Sequence, residues 1–223
     1  MRQKTMSNKT ALVIGGGNFG AKACRFFKKQ KARVILVDND PECKAKPFVA
    51  ENDFVLKNAQ AAWELALKLK PDFIVPTQAG HTCGKWISEY FHLKPLPNSI
   101  SDVTKRIPQS LFLGCDEPNA RLIFSYMTKG KLCPEECPHL TDECVLTREP
   151  RPAPLYRLME YAVFGLFDCA KIFASEQMAP GVGAIKASEF LEFMKEIEIK
   201  RPKTLAVGTA CLCHGVLNLF KNT

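Results

Sequence analysis

Whole elements alternate along the first half of the chain. A continuous apolar run, Ala11–Ile14, leads through a glycine-rich stretch into Ala21–Lys31, where Ala23, Phe26 and Phe27 recur on one helical face. A second apolar run begins at Arg33 and ends at Asp38. Asp53–Leu56 and Phe73–Val75 read as further strands, the last stopped by Pro76. Ala59–Leu69 and Trp86–Phe91 read as helices. Short runs that are apolar throughout suit strands covered on both faces. Strand–helix alternation therefore predicts an α/β fold with a doubly wound parallel sheet.

The texture changes near residue 105. Leu111–Leu113 and Arg121–Tyr126 read as strands of a small β element. Lys131–Pro154 is rich in Cys, Pro and acidic residues and has little periodicity. Tyr156–Ala174 returns to helical spacing, Ala179–Gly183 reads as a connector, and Ser188 caps a helix that runs to about Glu198. Thr204–Val207 reads as a last strand returning to the sheet, followed by a short terminal helix. The expected division is a nucleotide-binding unit over residues 1–105, a Cys-rich insertion over 106–155, and a helical segment with one strand over 156–223.

The turn after the first strand is Gly15-Gly-Gly-Asn-Phe-Gly20, so Gly15, Gly17 and Gly20 fit G-x-G-x-x-G. In that pattern the first glycine makes a tight turn, the second lets backbone approach a pyrophosphate, and the third lets helix and strand pack closely. Asn18 and Phe19 open a helix whose free N–H groups favour phosphate. Asp38 follows at the end of the next strand, placed to accept from ribose hydroxyls and repel a 2′-phosphate. Thr77 lies at the end of the fourth strand, on the same edge. Together these predict a Rossmann-like unit that binds NAD(H) rather than NADP. S-adenosylmethionine, or a sheet turn that merely needs glycine, would leave the same trace.

Ala11–Gly20 with Val37-Asp38 resembles the nucleotide-binding domains of the TrkA-N class and of many NAD-dependent dehydrogenases, over residues 10–80. The resemblance implies fold and nucleotide, and no particular reaction. The Gly15-Gly-Gly start is also similar to the siroheme-synthase dehydrogenase, although Pro76–His81 departs from the Ala-Thr-Asp-like ending found there.

Ten cysteines complicate this picture. Cys133, Cys137 and Cys144 fall within twelve residues, with Pro134, Pro138 and His139 among them. Such a segment has little to bury, so a metal could be what folds it. Cys211-Leu-Cys213-His214 follows the last predicted strand. Cys133, Cys137 and Cys144 with Cys211, Cys213 or Cys115 could hold a [4Fe–4S] cluster. The same three with His139 or His214 could hold Zn²⁺. Unligated thiols or a redox pair remain open. The Cys-Pro-x-x-Cys-Pro and Thr-Ala-Cys-x-Cys-His-Gly motifs on such a start resemble an uncharacterised prokaryotic family.

Composition adds limits. Hydrophobic residues make up 46% and charged residues 24% of the 223-residue chain, values ordinary for a globular protein. The net charge of +8 is spread out and comes with no nucleic-acid motif. The polar start Met1–Thr10 and the short apolar runs predict a cytoplasmic protein with no membrane partner. His81, Cys213 and His214 are candidate catalytic groups, with the nicotinamide expected near Thr77–His81 and Cys211–His214. Arg148, Arg151 and Arg157 could bind an anion or simply be solvated. The leading expectation is an NAD-linked oxidoreductase with a metal centre, acting on a small molecule or a redox partner protein, as a monomer or homo-oligomer. The competing one is a non-enzymatic redox sensor that reports to a partner protein.

Overall fold

A computed structural model describes residues 6–58, 62–127, 133–134, 137 and 142–222. The chain begins β1 (Thr10–Ile14), α1 (Asn18–Lys29), β2 (Arg33–Asp38), β3 (Phe54–Leu56), α2 (Trp63–Leu69) and β4 (Phe73–Pro76). It continues α3 (Thr82–Tyr90), β5 (Lys94–Pro95), α4 (Ile100–Thr104), β6 (Phe112–Asp116), β7 (Arg121–Ser125) and α5 (Leu155–Val163). It closes with β8 (Cys169–Ala174), β9 (Glu176–Ala179), β10 (Val182–Lys186), α6 (Ala187–Lys200), β11 (Thr204–Ala210) and β12 (His214–Lys221). No helix among the described residues is long and apolar enough to cross a membrane.

Two compact units divide the chain, Met1–Thr82 with Glu176–Glu192, and Cys83–Ser175 with Phe193–Thr223. In the first, the sheet order is β3-β2-β1-β4-β10-β9. The four strands from β3 to β4 are parallel, and β10 and β9 are added antiparallel. Val13, Leu36 and Val75 bury themselves with Cys24 and Phe27 of α1. The parallel strands therefore send Ile14, Asp38, Leu56 and Pro76 to one edge, where the glycine turn begins.

The second unit has the order β6-β7-β12-β11-β8, with β5 paired to the end of β12. Only β11 and β8 run parallel. Leu122, Phe124, Leu217 and Leu219 of the sheet pack with Leu155 and Met159 of α5.

The fold is thus mixed α/β with two partly antiparallel sheets, and several expectations need correction. Tyr156–Ala174 is a helix and then a strand, because Gly165 takes φ +69° and ends the helical path. Ala179–Gly183 spans the end of β9, the turn Pro180-Gly181 and the start of β10, with Gly181 at φ +71°. Gly there meets the positive φ that such a turn requires. The residues after 213 form β12, not a terminal helix. That strand lies between β7 and β11, so both its edges are paired, and its consecutive residues Leu217, Asn218, Leu219 and Phe220 are all buried, which leaves the run without alternation. β11 does not return to the first sheet; it pairs with β8 and β12. The residues expected as a Cys-rich insertion contribute β6 and β7 to the second sheet, and the units divide at Thr82 rather than near 105. Ala59–Ala61 of the expected helix lie outside the described residues.

Leu217 is fully buried on β12, whereas Ile123, on the neighbouring β7, is 41% exposed. Leu217→Ala should cost about 2–5 kcal/mol. Ile123→Ala should cost under about 1 kcal/mol. Urea midpoints of the two variants check the assignment; equal losses would contradict it.

Candidate functional site

The glycine turn is held from three sides. Gly15 adopts φ +103°. A Cβ on Gly20 would lie 2.0 Å from the Gly15 carbonyl oxygen, and one on Gly16 would strike the Cys43 sulfur at 2.3 Å. A Cβ on Gly17 would meet nothing within 4 Å. Asp38 accepts from the Gly16 N–H through Oδ2 and from the Asp40 N–H through Oδ1, at 2.8 Å for the latter. The Thr77 hydroxyl donates to the Gly15 carbonyl at 2.7 Å, so Thr77 braces the turn. No side chain caps α1 at Gly17, and its first turn has no acidic residue. The leading N–H groups and positive dipole end are therefore left to an anion. Lys44 donates to Asn18 Oδ1 at 2.8 Å and brings a cation to that helix start. No sequence motif marks Lys44; its proximity depends on the fold of residues 40–45 against Gly16, where the Ala45 N–H donates to the Gly16 carbonyl at 2.9 Å. His81 also belongs to the first unit and is 3% exposed.

Cys211–His214 is the tight turn joining β11 to β12. The Cys211 N–H donates to the His214 carbonyl at 2.9 Å, and the N–H groups of Cys213 and His214 both donate to the Cys211 sulfur at 3.3 Å. Nδ1 of His214 stands 3.8 Å from that sulfur. The Cys213 thiol, then the His214 imidazole and the backbone N–H of Cys213, hold Cys211 well below the usual thiol pKa against the opposing effect of burial. The partner effect and burial push Cys213 up, so the proton of the pair resides on Cys213. The turn is tied down by Tyr126 N–H donating to the Cys213 carbonyl (2.9 Å) and Leu155 N–H donating to the Leu212 carbonyl (3.0 Å).

The other three predicted cysteines gather in the same unit. Cys137 and Cys144 are buried, and Cys133 is half-buried. Burial, and then the neighbouring thiols of Cys137, Cys144 and Cys211, pushes Cys133 up to about 11. Cys144 sits in a turn where the Arg148 N–H donates to its carbonyl at 2.8 Å. Burial raises its pKa, but hydrogen bonds from the Thr147 hydroxyl and the N–H groups of Thr147 and Leu146, with the Arg151 charge, bring it down overall. Among the described residues, no three His, Cys, Asp or Glu side chains already stand in a metal-coordinating arrangement. His139 lies outside the described residues.

Arg151 is the residue sequence reasoning underweighted. The residue is 6% exposed; its guanidinium donates to the Cys213 sulfur and the Glu143 carbonyl and leaves Nε without a partner. The signal was an arginine locked between Pro150 and Pro152. Those prolines, with Leu111, Phe112, Tyr126 and Leu158, line a cavity of about 620 Å³. That volume lies within the range of small-molecule pockets.

Profiles for two domains of one family match this chain, an N-terminal domain over residues 10–81 and a C-terminal domain over residues 83–223, both described as belonging to an uncharacterized protein. The chain belongs to the AF_1314 family. It is similar to an uncharacterized protein of Archaeoglobus fulgidus, 30% identical over 221 residues that span 94% of this chain and 98% of that protein. The family's domain junction falls where the two compact units part, except that β9, β10 and the start of α6 belong with the first. In this family member, Gly15–Gly20, Asp38, Thr77 and His81 belong to the first unit and all five predicted metal-ligand cysteines to the second. The expected placement of Cys211–His214 on the edge of the first sheet is corrected accordingly: β11 pairs with β8 and β12 instead.

The two glycines make a discriminating pair. Gly20→Ala should cost about 1–3 kcal/mol because α1 must move off β1. Gly17→Ala should stay within about 1 kcal/mol of the parent, the residue already having an ordinary φ of −69°. Thermal unfolding of both variants is the measurement.

Proposed function

We propose that this protein binds a dinucleotide of the NAD class through its first unit and acts as an oxidoreductase; its second unit carries, in its own right, a thiol turn and a cavity of small-molecule size. The observation that carries the reading is the open space at Gly17. Gly15 and Gly16 are glycines because protein atoms crowd them, and Gly20 because Gly15 does. Gly17 has no such neighbour, and a pyrophosphate needs that space to reach the backbone. The parallel order β3-β2-β1-β4 supports it, since this is the strand order of half a Rossmann sheet and β1 and β4 flank its switch point. Asp38 would offer its remaining lone pairs to the ribose, and Lys44 would add charge at the phosphates. When bound, the dinucleotide would supply hydride transfer.

In the second unit, the Cys211 thiolate is the nucleophilic group, with Cys213 as its proton reservoir and His214 beside it. The cavity beside Tyr126 would hold a largely apolar substrate, its wall continuing through Pro150 and Pro152 to Arg151. His81 would act within the first unit.

Calorimetric titration with NADH tests the reading. The parent should bind at micromolar concentration or better, and Gly17→Val should weaken binding at least about a hundredfold, or roughly 2.7 kcal/mol. Asp38→Asn keeps an acceptor for the Gly16 N–H but removes the negative charge. It should narrow the NADH-over-NADPH preference at least about tenfold. No heat of binding from the folded parent, or equal affinity for Gly17→Val, would overturn the proposal.

A further inference from the structure

We infer that Cys211 and Cys213 form a dithiol–disulfide couple that exchanges with low-molecular-weight disulfides, Cys211 attacking, Cys213 closing the bridge, and Arg151 fixed against the second sulfur. The inference rests on the reading of Cys211 as the nucleophile of the second unit and names its substrate class.

Three observations carry it. The first is the turn. Residues two apart in a strand stand about 6.7 Å apart, near the upper end of the roughly 4.4–6.8 Å that a disulfide spans between Cα atoms. The β11–β12 turn folds the chain back over this stretch. The Cys211 N–H reaches the His214 carbonyl at 2.9 Å, and the Cys213 N–H reaches the Cys211 sulfur at 3.3 Å. The two thiols are also hydrogen-bonded to each other. Closing the bridge is a matter of side-chain rotation and leaves the β11–β12 pairing in place.

The second is the division of exposure. Cys211 is half-buried and Cys213 is buried. A disulfide arriving from solvent meets the Cys211 sulfur first. The N–H groups of Cys213 and His214 both donate to that sulfur. Such donors favour the thiolate, which is the form that attacks a disulfide.

The third is Arg151. The residue is 6% exposed; its guanidinium donates to the Cys213 sulfur and the Glu143 carbonyl, and Nε has no partner. Pro150 and Pro152 flank it, and its own N–H donates to the Asp142 carbonyl at 2.8 Å, so its backbone is fixed. A buried cation held against a sulfur is unfavourable unless negative charge develops there. Cys213 must give up its proton to close the bridge, and Arg151 stands where that charge appears.

The exchange balances. The Cys211 thiolate attacks one sulfur of R–S–S–R′, a new S–S bond forms to Cys211, and the R′ thiolate leaves. The Cys213 thiol passes its proton to that thiolate, attacks the Cys211 sulfur and expels the R thiolate. The turn loses two electrons and one proton, and the substrate is reduced to R–S⁻ and R′–SH. A dithiol restores the turn by the same steps reversed.

The test equilibrates the full chain, reduced and kept from oxygen, in buffers of reduced and oxidised glutathione. The chain is then quenched in acid, alkylated and digested. The peptide carrying Cys211 and Cys213 should be lighter by two hydrogens and take up no alkylating agent, with no second peptide attached. Cys213→Ser should stop at the mixed disulfide, with one glutathione on Cys211. Cys211→Ser should react at this turn at least about tenfold more slowly, since the remaining thiol is buried. Arg151→Met should shift the equilibrium toward the disulfide at least about tenfold, or about 30 mV, because the cation favours the ionised, reduced pair. Arg151→Lys should stay near the parent. The parent-chain map decides the matter should a variant fail to fold. Folded parent whose Cys211 and Cys213 both stay alkylatable in the most oxidising buffer would overturn the inference, as would a bridge from either to Cys133, Cys137 or Cys144. Rapid alkylation of Cys211 with no bridge would remove the couple and leave the nucleophile reading standing; slow alkylation with no bridge would remove both. The assay contains no NADH, so its outcome is independent of dinucleotide binding.

Discussion

The first unit depends on an atom that is missing. The Gly15 carbonyl oxygen occupies the place where a Cβ on Gly20 would stand, so α1 can lie against the end of β1 only because residue 20 has none. That approach sets the direction of the helix axis, and with it where the uncapped N–H groups point. Everything else at this edge holds the turn in that position. Asp38 ties down Gly16, Thr77 ties down Gly15, and Cys43 fills the space over Gly16. These bonds are short-range and mutually reinforcing, which is the consistency expected where one backbone path must be specified. The one direction left open is at Gly17, where a Cβ would meet nothing within 4 Å.

The second unit sets up the opposite electrostatics. Its sheet brings the β11–β12 turn beside the segment 142–151, and a short bridge between Glu143 and Pro150 holds that segment closed. Arg151 hangs from this bridge into the thiols, with its own N–H donating to the Asp142 carbonyl at 2.8 Å. A cation placed there by backbone hydrogen bonds cannot swing out to water, so the charge it requires must come to it. The cavity wall at Pro150 and Pro152 is made by the same stretch of chain.

Sequence reasoning read the first unit well and the second poorly, for a physical reason. β1, α1, β2 and β4 carry local signals: apolar runs of strand length, helical spacing, and a glycine pattern whose steric demands are fixed by neighbours within a few residues. The clustered cysteines were legible as residue types but not as a placement. β12 is a run of buried residues, and periodicity cannot tell such a strand from a helix. The membership of β11 in one sheet or another depends on pairing with β8, some 35 residues away, and nothing in Thr204–Ala210 encodes that partner. Tyr156–Ala174 was misread because helix and strand join there without a change of hydrophobicity; the Gly165 break and Asp168 were the available cues. Arg151 looked like a surface arginine because burial of a charge is a property of what surrounds it.

The described cysteines divide by the donors around them. Cys24 and Cys83 lie where burial pushes the thiol up to about 12, so at neutral pH they are protonated and behave as small apolar side chains. Cys144 and Cys211 are drawn the other way, Cys144 by the Thr147 hydroxyl, the N–H groups of Thr147 and Leu146 and the Arg151 charge, Cys211 first by the Cys213 thiol and then by His214 and the Cys213 N–H. A fold that needed only apolar filling would gain nothing by aiming two backbone donors at each of these sulfurs, since a neutral thiol is a weak acceptor. Donors so placed stabilise a thiolate, and a buried thiolate needs a cation. At this turn the Arg151 guanidinium is the cation close at hand.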